Sequence, residues 1–331
     1  MRKTPFVLTI VCLSFFVLGF SQTDVSLETT NDTQTEFEIL VNYLQENGNF
    51  INSDLAPALI TPDELKKNVK NEKFLVLDIR SDSWFEYGHI KNAKNAAGPE
   101  LLGYFENKIT PLDYEKIVIV CYSGQSASYY TSLLRLMGYD NVYSLKWGMS
   151  SWRVDFAENS WLKNISNDFA DKLETAVNLK PEKGAFPELR TGKTTGKDIL
   201  RARLTELFKI PYKEFILKSE AIFEAPEEYF VMHYWGEENY ALGHIPGAIH
   251  YQPQFSLDMN NELSTLPVDR KIAVYGENGL DAAYAVAYLN VLGYDVGNIA
   301  YGANGFMNKV LKNENWGAFT KKEVNMYPVI E

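Results

Sequence analysis

Two short motifs of this chain occur twice, and both recur at the same spacing. GHIKNA begins at Gly88 and GHIPGA at Gly243, while LLRLMGYD begins at Leu133 and YLNVLGYD at Tyr288. Each pair is offset by 155 residues. Because a common offset for two separate motifs indicates a repeated structural unit, the sequence predicts two copies of one domain. The length of 331 residues suits this interpretation, at roughly 150 residues per domain.

The first copy alternates apolar runs with a helical pattern. FLVLD, from Phe74 to Asp78, and IVIV, at residues 117–120, are continuous apolar runs typical of strands buried on both faces. Apolar residues then recur every three or four positions until Gly138, which suits the end of a helix, and NVYSL follows as another strand. Strands that alternate with helices predict an α/β fold with a parallel sheet.

The N-terminus has the layout of a secretory signal peptide. MRKTPFVLTIVCLSFFVLGFSQ begins with Arg2 and Lys3, continues with an apolar run, and carries small residues at Gly19 and Ser21. We therefore predict that residues 1–21 are removed and that the protein is exported, to a periplasm or to the outside of the cell. An uncleaved membrane anchor is the alternative interpretation.

Charge and cysteine content limit the function further. The net charge of −11 argues against a nucleic-acid partner, and against an anionic membrane once the signal peptide is removed. Cys12 lies within the predicted signal peptide, so Cys121 is the one cysteine expected in the exported chain. It cannot form an internal disulfide there. A remaining free thiol is either a packing residue or a reactive one.

Cys121 stands where a strand ends and a helix is about to begin. Backbone N–H groups and the positive end of a helix dipole favour the thiolate in such a place. Settings of this kind lower a cysteine pKa from about 8.5 to roughly 3.5–7.5. Because the thiolate is the nucleophilic form, the position predicts a reactive cysteine rather than a small hydrophobic core residue.

Five features in this order resemble a tandem member of the rhodanese (sulfurtransferase) family. They are LVLDIR with Asp78 and Arg80, GHIKNA, the loop CYSGQS, the segment LRLMGYDNVYSLKWG, and Trp152. The resemblance covers about residues 58–155 well and about residues 213–310 more faintly. It implies an α/β fold of two rhodanese-like domains, each a parallel five-stranded sheet flanked by helices.

The resemblance also implies an activity. Cys121 would take a sulfur atom from a small donor, such as thiosulfate or a persulfide, and pass it to a thiol or cyanide-like acceptor. Asp78 and Arg80 would support the loop, and no cofactor or metal is implied. The loop residues whose backbone N–H groups would hold the transferred sulfur are Tyr122, Ser123, Gly124, Gln125 and Ser126.

One position departs from the family pattern. The family usually ends this loop with an arginine, whereas this chain has Ser126, and the loop holds no other cation. The missing contact argues against tight thiosulfate binding and against phosphatase chemistry. The six-residue loop also differs from the seven-residue loop of the related phosphatases. Candidate substitutes are Lys146, Arg153 and Arg80, although Arg80 is expected to brace the loop through Asp78.

The second copy lacks the chemical residues of the first. Alignment of Gly279 with Gly124 places Gly276 at the position of Cys121. The same alignment places His233 at Asp78 and Trp235 at Arg80. We therefore predict that the second copy is not catalytic and that an active site at the domain interface would explain its presence.

The predicted organisation has five segments. A signal peptide (1–21) precedes a polar tail with an N-terminal helix (22–57), the catalytic domain (58–160), a linker with helices (161–212) and the inactive domain (213–331). Two other functions stay open: a binding or sensing module that keeps the fold without catalysis, and a thiol oxidoreductase or sulfur carrier. The sequence leaves the oligomeric state open.

Overall fold

Residues 34–331 are described by the computed structural model of the chain. The predicted signal peptide and Cys12 lie outside these residues. The first helix begins at Glu36, with Thr35 as its N-cap and reciprocal hydrogen bonds between Thr35 and Glu38. Within residues 34–331, no helix combines the length and the apolar character needed to cross a membrane.

The first copy forms a parallel five-stranded sheet in the order β1-β5-β4-β2-β3. The predicted strands become β2, β4 and β5. The central strands β2 and β4 are buried over their last four residues, as expected for a sheet covered on both faces. The bounds are β1 (Leu59–Ile60), β2 (Phe74–Asp78), β3 (Lys94–Asn95), β4 (Lys116–Val120) and β5 (Val142–Leu145).

The second copy repeats this sheet in the order β6-β10-β9-β7-β8, again parallel throughout. The prediction of two rhodanese-like sheets is confirmed. Equivalent glycines also share a backbone conformation, since Gly124 and Gly279 have φ angles of +91° and +73°. The bounds are β6 (Ile216–Leu217), β7 (Phe230–His233), β8 (Ile249–His250), β9 (Ile272–Tyr275) and β10 (Val296–Ile299).

Helices flank both sheets. Those that precede or belong to the first copy are α1 (Glu36–Glu46), α2 (Pro62–Asn68), α3 (Asp82–Tyr87), α4 (Leu101–Asn107), α5 (Gln125–Leu136) and α6 (Val154–Asn159). Those that follow are α7 (Trp161–Asn164), α8 (Gly196–Leu207), α9 (Ser219–Glu224), α10 (Glu237–Leu242), α11 (Leu280–Val291) and α12 (Asn304–Asn313). Helices α7 and α8 lie in the segment between the copies, where the sequence predicts a linker with helices.

The two copies pack against each other through the equivalent helices α5 and α11. The Ser132 hydroxyl on α5 donates to the Tyr284 carbonyl on α11 over 3.0 Å. The Tyr284 hydroxyl in turn donates to the Ala58 carbonyl of the first copy over 2.8 Å. Eleven of the twelve α11 residues are buried, so one apolar core runs through both copies. This packing brings the N-terminal end of α5 next to the second copy.

Each copy also receives the segment that follows the other copy. Glu174, which follows the first copy, pairs by backbone bonds with His244 of the second. Ile330, which follows the second copy, pairs in the same way with His89 of the first. The segments that follow the two copies are therefore exchanged between them.

Candidate active site

Cys121 follows β4 directly and is 1% exposed. Its carbonyl accepts a hydrogen bond from the Met149 N–H over 2.8 Å. Gly148, beside Met149, has a φ of +57°, and a Cβ there would lie 2.5 Å from the Cys121 carbonyl oxygen. The close approach of two backbone segments therefore requires glycine at position 148 and fixes where the thiol stands.

Backbone N–H groups form a cradle around the Cys121 sulfur. Sγ accepts from the N–H of Gly124 over 3.1 Å and from the N–H of Ala127 over 3.4 Å. The φ of +91° at Gly124 turns the chain so that α5 begins with its N–H groups facing the sulfur. Ala127 lies one residue beyond the predicted loop, so the first turn of α5 contributes to the cradle as well.

Burial nevertheless raises the pKa of the Cys121 thiol. Desolvation is the largest cause, while the Ser126 hydroxyl and the N–H groups of Ala127, Gly124 and Ser123 act in the opposite direction. The predicted lowering of this pKa is therefore wrong for this structure. The donors are present, but exclusion of water from the thiol outweighs them.

Tyr122 and Ser123 face different neighbours. The Tyr122 hydroxyl lies 3.3 Å from both the Ser81 N–H nitrogen and the Ser81 hydroxyl, and its ring meets Trp84 edge to face at 5.9 Å. The Ser123 carbonyl accepts from the Trp161 indole N–H over 2.9 Å. These contacts fix the outer side of the loop and leave the cradle N–H groups for the sulfur.

Gln125 connects the loop to the second copy. Its Oε1 accepts the Tyr301 N–H over 2.8 Å, and its Nε2 donates to the Ser123 hydroxyl over 3.2 Å. Ser126, at the position of the usual arginine, is half-buried and lines a cavity at the mouth of the loop. The loop is thus completed by a residue of the second copy.

Asp78 and Arg80 form a buried ion pair behind the loop. Arg80 Nη2 lies 2.7 Å from Asp78 Oδ2, and the same nitrogen donates to the Gly88 carbonyl over 2.7 Å. The guanidinium carbon is 6.0 Å from the centre of the Tyr122 ring. Arg80 therefore contacts the loop through a ring face and does not supply a cation to the cavity.

The other predicted substitutes for the loop arginine are also engaged elsewhere. Arg153 makes two bonds to the Asp155 carboxylate, at 2.7 and 2.8 Å. The Lys146 ammonium lies 5.4 Å from the centre of the Trp147 ring. Neither side chain lines the cavity at the loop.

This cavity, which we call the interdomain cavity, measures about 330 Å³. Its described lining contains no lysine, arginine or histidine. The residues that line it from the second copy carry no motif in the sequence, and only their proximity in the folded chain reveals them. The lining residues are Tyr122, Ser123, Gln125, Ser126, Asn159, Ser160, Tyr212, Ile216, Ala300 and Tyr301.

The equivalent loop of the second copy has no place for a thiol. A Cβ on Gly276 would lie 2.8 Å from the Tyr234 carbonyl oxygen. The next residue, Glu277, accepts the Gly317 N–H over 2.6 Å. Asp281 stands where Ser126 stands in the first copy, and burial, followed by the nearby Glu277, raises its pKa to about 6. A carboxyl in this position opposes the binding of an anion.

A family model described as a rhodanese-like domain matches residues 61–155 and 227–309. The chain belongs to the rhodanese-like family. The first matched segment contains β2 to β5 and the second contains β7 to β10. The predicted tandem organisation is thereby confirmed.

Two thiosulfate sulfurtransferases named GlpE are among the similar proteins. The one from Actinobacillus pleuropneumoniae serotype 3 is 31% identical over 94 residues, which cover 28% of this chain and 83% of the relative. The one from Pseudomonas putida is 31% identical over 97 residues, which cover 29% and 86%. These rhodanese-like relatives support a sulfurtransferase type of function.

Two larger solved structures resemble the chain over most of its length. Thiosulfate sulfurtransferase from Pseudomonas aeruginosa is 15% identical, with 88% of this chain and 71% of that chain covered and a TM-score of 0.29. SseA from Escherichia coli, described with the 3-mercaptopyruvate sulfotransferases, is 18% identical, with 74% and 99% covered and a TM-score of 0.28. Both likenesses are weak in identity and in TM-score.

Proposed function

We propose that this protein is a sulfurtransferase that carries a sulfur atom as a persulfide on Cys121. The observation that carries the proposal is the cradle, in which two backbone N–H groups point at the Cys121 sulfur beside the interdomain cavity. The family membership and the sulfurtransferase relatives support the same activity. Because residues 1–21 have the layout of a signal peptide, we also propose that the protein acts after export.

The proposed transfer has two displacement steps. The Cys121 thiol first loses its proton to solvent. The thiolate then attacks the outer sulfur of the donor, a new S–S bond forms, and the donor's own bond to that sulfur breaks with its electron pair on the leaving group. In the second step a nucleophilic acceptor attacks the outer sulfur of the persulfide, and the Cys121 thiolate leaves.

The charge of the cavity points to the class of donor. Thiosulfate is a dianion, and the described lining offers it hydrogen-bond donors but no cation. An absent charge-assisted bond of about 1.5–3 kcal/mol corresponds to roughly ten- to a hundredfold in affinity. We therefore propose that a donor of lower charge, such as an organic persulfide, is used better than thiosulfate.

A transfer assay with cyanide as acceptor tests the proposal. Purified protein is given thiosulfate or an organic persulfide, and thiocyanate is measured, with Cys121→Ser as the control. We expect thiocyanate formation that requires Cys121 and is faster with the persulfide. Equal rates for Cys121→Ser and the native protein would contradict the proposal.

A non-catalytic binding module is the second candidate. The specific observation in its favour is the burial of Cys121, which raises the thiol pKa and lowers the fraction of reactive thiolate at neutral pH. This function predicts that neither donor yields a Cys121-dependent product. The same assay therefore separates the two candidates.

A further inference from the structure

Two tyrosines, one at the end of the linker and one in the second copy, line the interdomain cavity. Tyr212 precedes β6 and is 7% exposed, and Tyr301 follows β10 with a φ of +62°. Trp147, in the equivalent turn of the first copy, has nearly the same φ of +65°, so this turn is a feature that the two copies share. The Tyr301 N–H bond to Gln125 joins the loops of the two copies.

Asn298 determines whether the Tyr212 hydroxyl acts as a hydrogen-bond donor or acceptor. Its Nδ2 donates to the Gly279 carbonyl over 2.8 Å and to the Tyr212 oxygen over 2.7 Å. Because a carbonyl can only accept, the first bond fixes which end of the amide is the NH₂ group. The Tyr212 oxygen is therefore an acceptor from Asn298, and its own hydrogen remains available for another partner.

Asn164 makes the equivalent pair of hydrogen bonds at Tyr301. Its Nδ2 donates to the Ser160 carbonyl over 2.6 Å and to the Tyr301 oxygen over 3.0 Å. The carbonyl again fixes the amide orientation, so the Tyr301 hydroxyl keeps its hydrogen to donate. The Ser160 side chain also neighbours this hydroxyl, and it lines the same cavity.

Both tyrosines line the interdomain cavity together with Tyr122 and Ser123, which directly follow Cys121, and both phenols stay protonated. Burial is the main reason that the pKa of Tyr212 and the pKa of Tyr301 are raised, and a negative charge on Cys121 raises each of them further. A phenol with a raised pKa remains a hydrogen-bond donor throughout the physiological range.

We infer that Tyr212 and Tyr301 donate hydrogen bonds to the sulfur held on Cys121, in the place of the cation that the loop lacks. The inference rests on the proposed function and assigns a catalytic role to the copy that has no thiol. Neutral donors favour a singly charged sulfur over a dianion, since they supply no full positive charge. The second copy would therefore set the donor class as well as complete the cavity.

The test uses the full chain with Tyr212→Phe, Tyr301→Phe and the double variant. Tyr294→Phe is the matched control, because Tyr294 is a buried tyrosine of the second copy whose hydroxyl donates to the Leu263 carbonyl. Urea unfolding first establishes that the variants are folded. The pH dependence of Cys121 alkylation by iodoacetamide and the rate of sulfur loading from an organic persulfide are then measured.

We expect each active-cavity variant to move the alkylation midpoint to higher pH, because removal of a donor destabilises the thiolate. Sulfur loading should fall by about tenfold or more in each single variant and further in the double variant. Tyr294→Phe should change neither quantity.

An alkylation profile unchanged in the double variant would overturn the inference, whatever the loading rate. The proposed function fails separately, when the native protein itself takes up no sulfur. The alkylation profile then still decides whether the tyrosines contact the Cys121 sulfur.

Discussion

At the scale of single residues, the reactivity of Cys121 is set by two opposed effects. The N–H groups of Gly124 and Ala127 favour the thiolate, whereas burial of the sulfur disfavours it more strongly. Position in the sequence predicts the donors, because they come from the loop and from the first turn of the next helix. The sequence does not predict the burial, since the core cluster that contains Cys121 includes residues from distant parts of the chain.

Restoring the family residue at position 126 tests the importance of the missing charge. Ser126 lines the cavity, so Ser126→Arg would add a cation at the mouth of the loop. We expect kcat/KM for thiosulfate to rise by about ten- to a hundredfold, the range of one charge-assisted hydrogen bond. Steady-state kinetics with thiosulfate and cyanide measure this change.

Ser126→Gln is the control, because it adds a polar side chain without a charge. An equal gain from Gln would show that volume or polarity, and not charge, limits thiosulfate use.

Asp281 is expected to make stability depend on pH. Its folded-state pKa of about 6 exceeds the unfolded value near 3.9, so the folded protein favours the protonated acid. The resulting stability is full below about pH 4 and is lost as the pH rises through about 6. The difference in unfolding free energy between Asp281→Asn and the native chain should therefore favour the variant by about 1–3 kcal/mol more at pH 7.5 than at pH 4.

Urea unfolding at the two pH values measures this difference for Asp281. If Asp281→Asn and the native chain differ by the same unfolding free energy at both pH values, burial does not raise the pKa of Asp281.

At the scale of elements, the long buried strands and helices are predictable and the short ones are not. The runs that form β2 and β4 and the helical spacing of α5 carry strong apolar patterns. The edge strands β1 and β3 have two residues each, which is too short for a periodic signal. They form because neighbouring strands and loops position them.

The contact between the cysteine loop and the segment after β5 depends on Gly148. Gly148→Ala would bring a Cβ to 2.5 Å from the Cys121 carbonyl oxygen and to 2.6 Å from the Gly124 nitrogen. We expect a loss of more than about 2 kcal/mol of unfolding free energy, together with reduced sulfur loading on Cys121.

Gly192→Ala is the matched control, because Gly192 has a φ of +69° but open space around its Cβ position. Gly192→Ala should lower the unfolding free energy by about 1 kcal/mol and leave sulfur loading of Cys121 unchanged. Similar losses of loading in both variants would contradict the role assigned to Gly148.

At the scale of the whole molecule, the two copies form one unit with exchanged tails. The Trp152 indole of the first copy donates to the Pro328 carbonyl over 3.0 Å. Phe319, also from the segment after the second copy, is fully buried against Trp147 and Trp161. The repeat in the sequence predicts two domains. The exchange of the segments that follow each copy depends on where those segments pack, and no sequence pattern predicts it.

Phe319→Ala tests whether this tail stabilises the first copy. Removal of a buried aromatic ring costs about 3–5 kcal/mol, and the Trp161 bond to the cysteine loop should be weakened as well. Met326→Ala is the control, since Met326 in the same tail is 62% exposed and should cost less than about 0.5 kcal/mol. Comparable unfolding free energies for the two variants would show that the tail is dispensable.

Intact-protein mass spectrometry after mixing with an organic persulfide, and separately with thiosulfate, tests the central claim most directly. Sulfur transfer through Cys121 predicts a gain of about 32 Da, one sulfur atom, that is absent in Cys121→Ser and removed by cyanide. The gain should be larger with the persulfide than with thiosulfate. A reduced chain with a demonstrably free Cys121 thiol that gains no mass from either donor would contradict the claim.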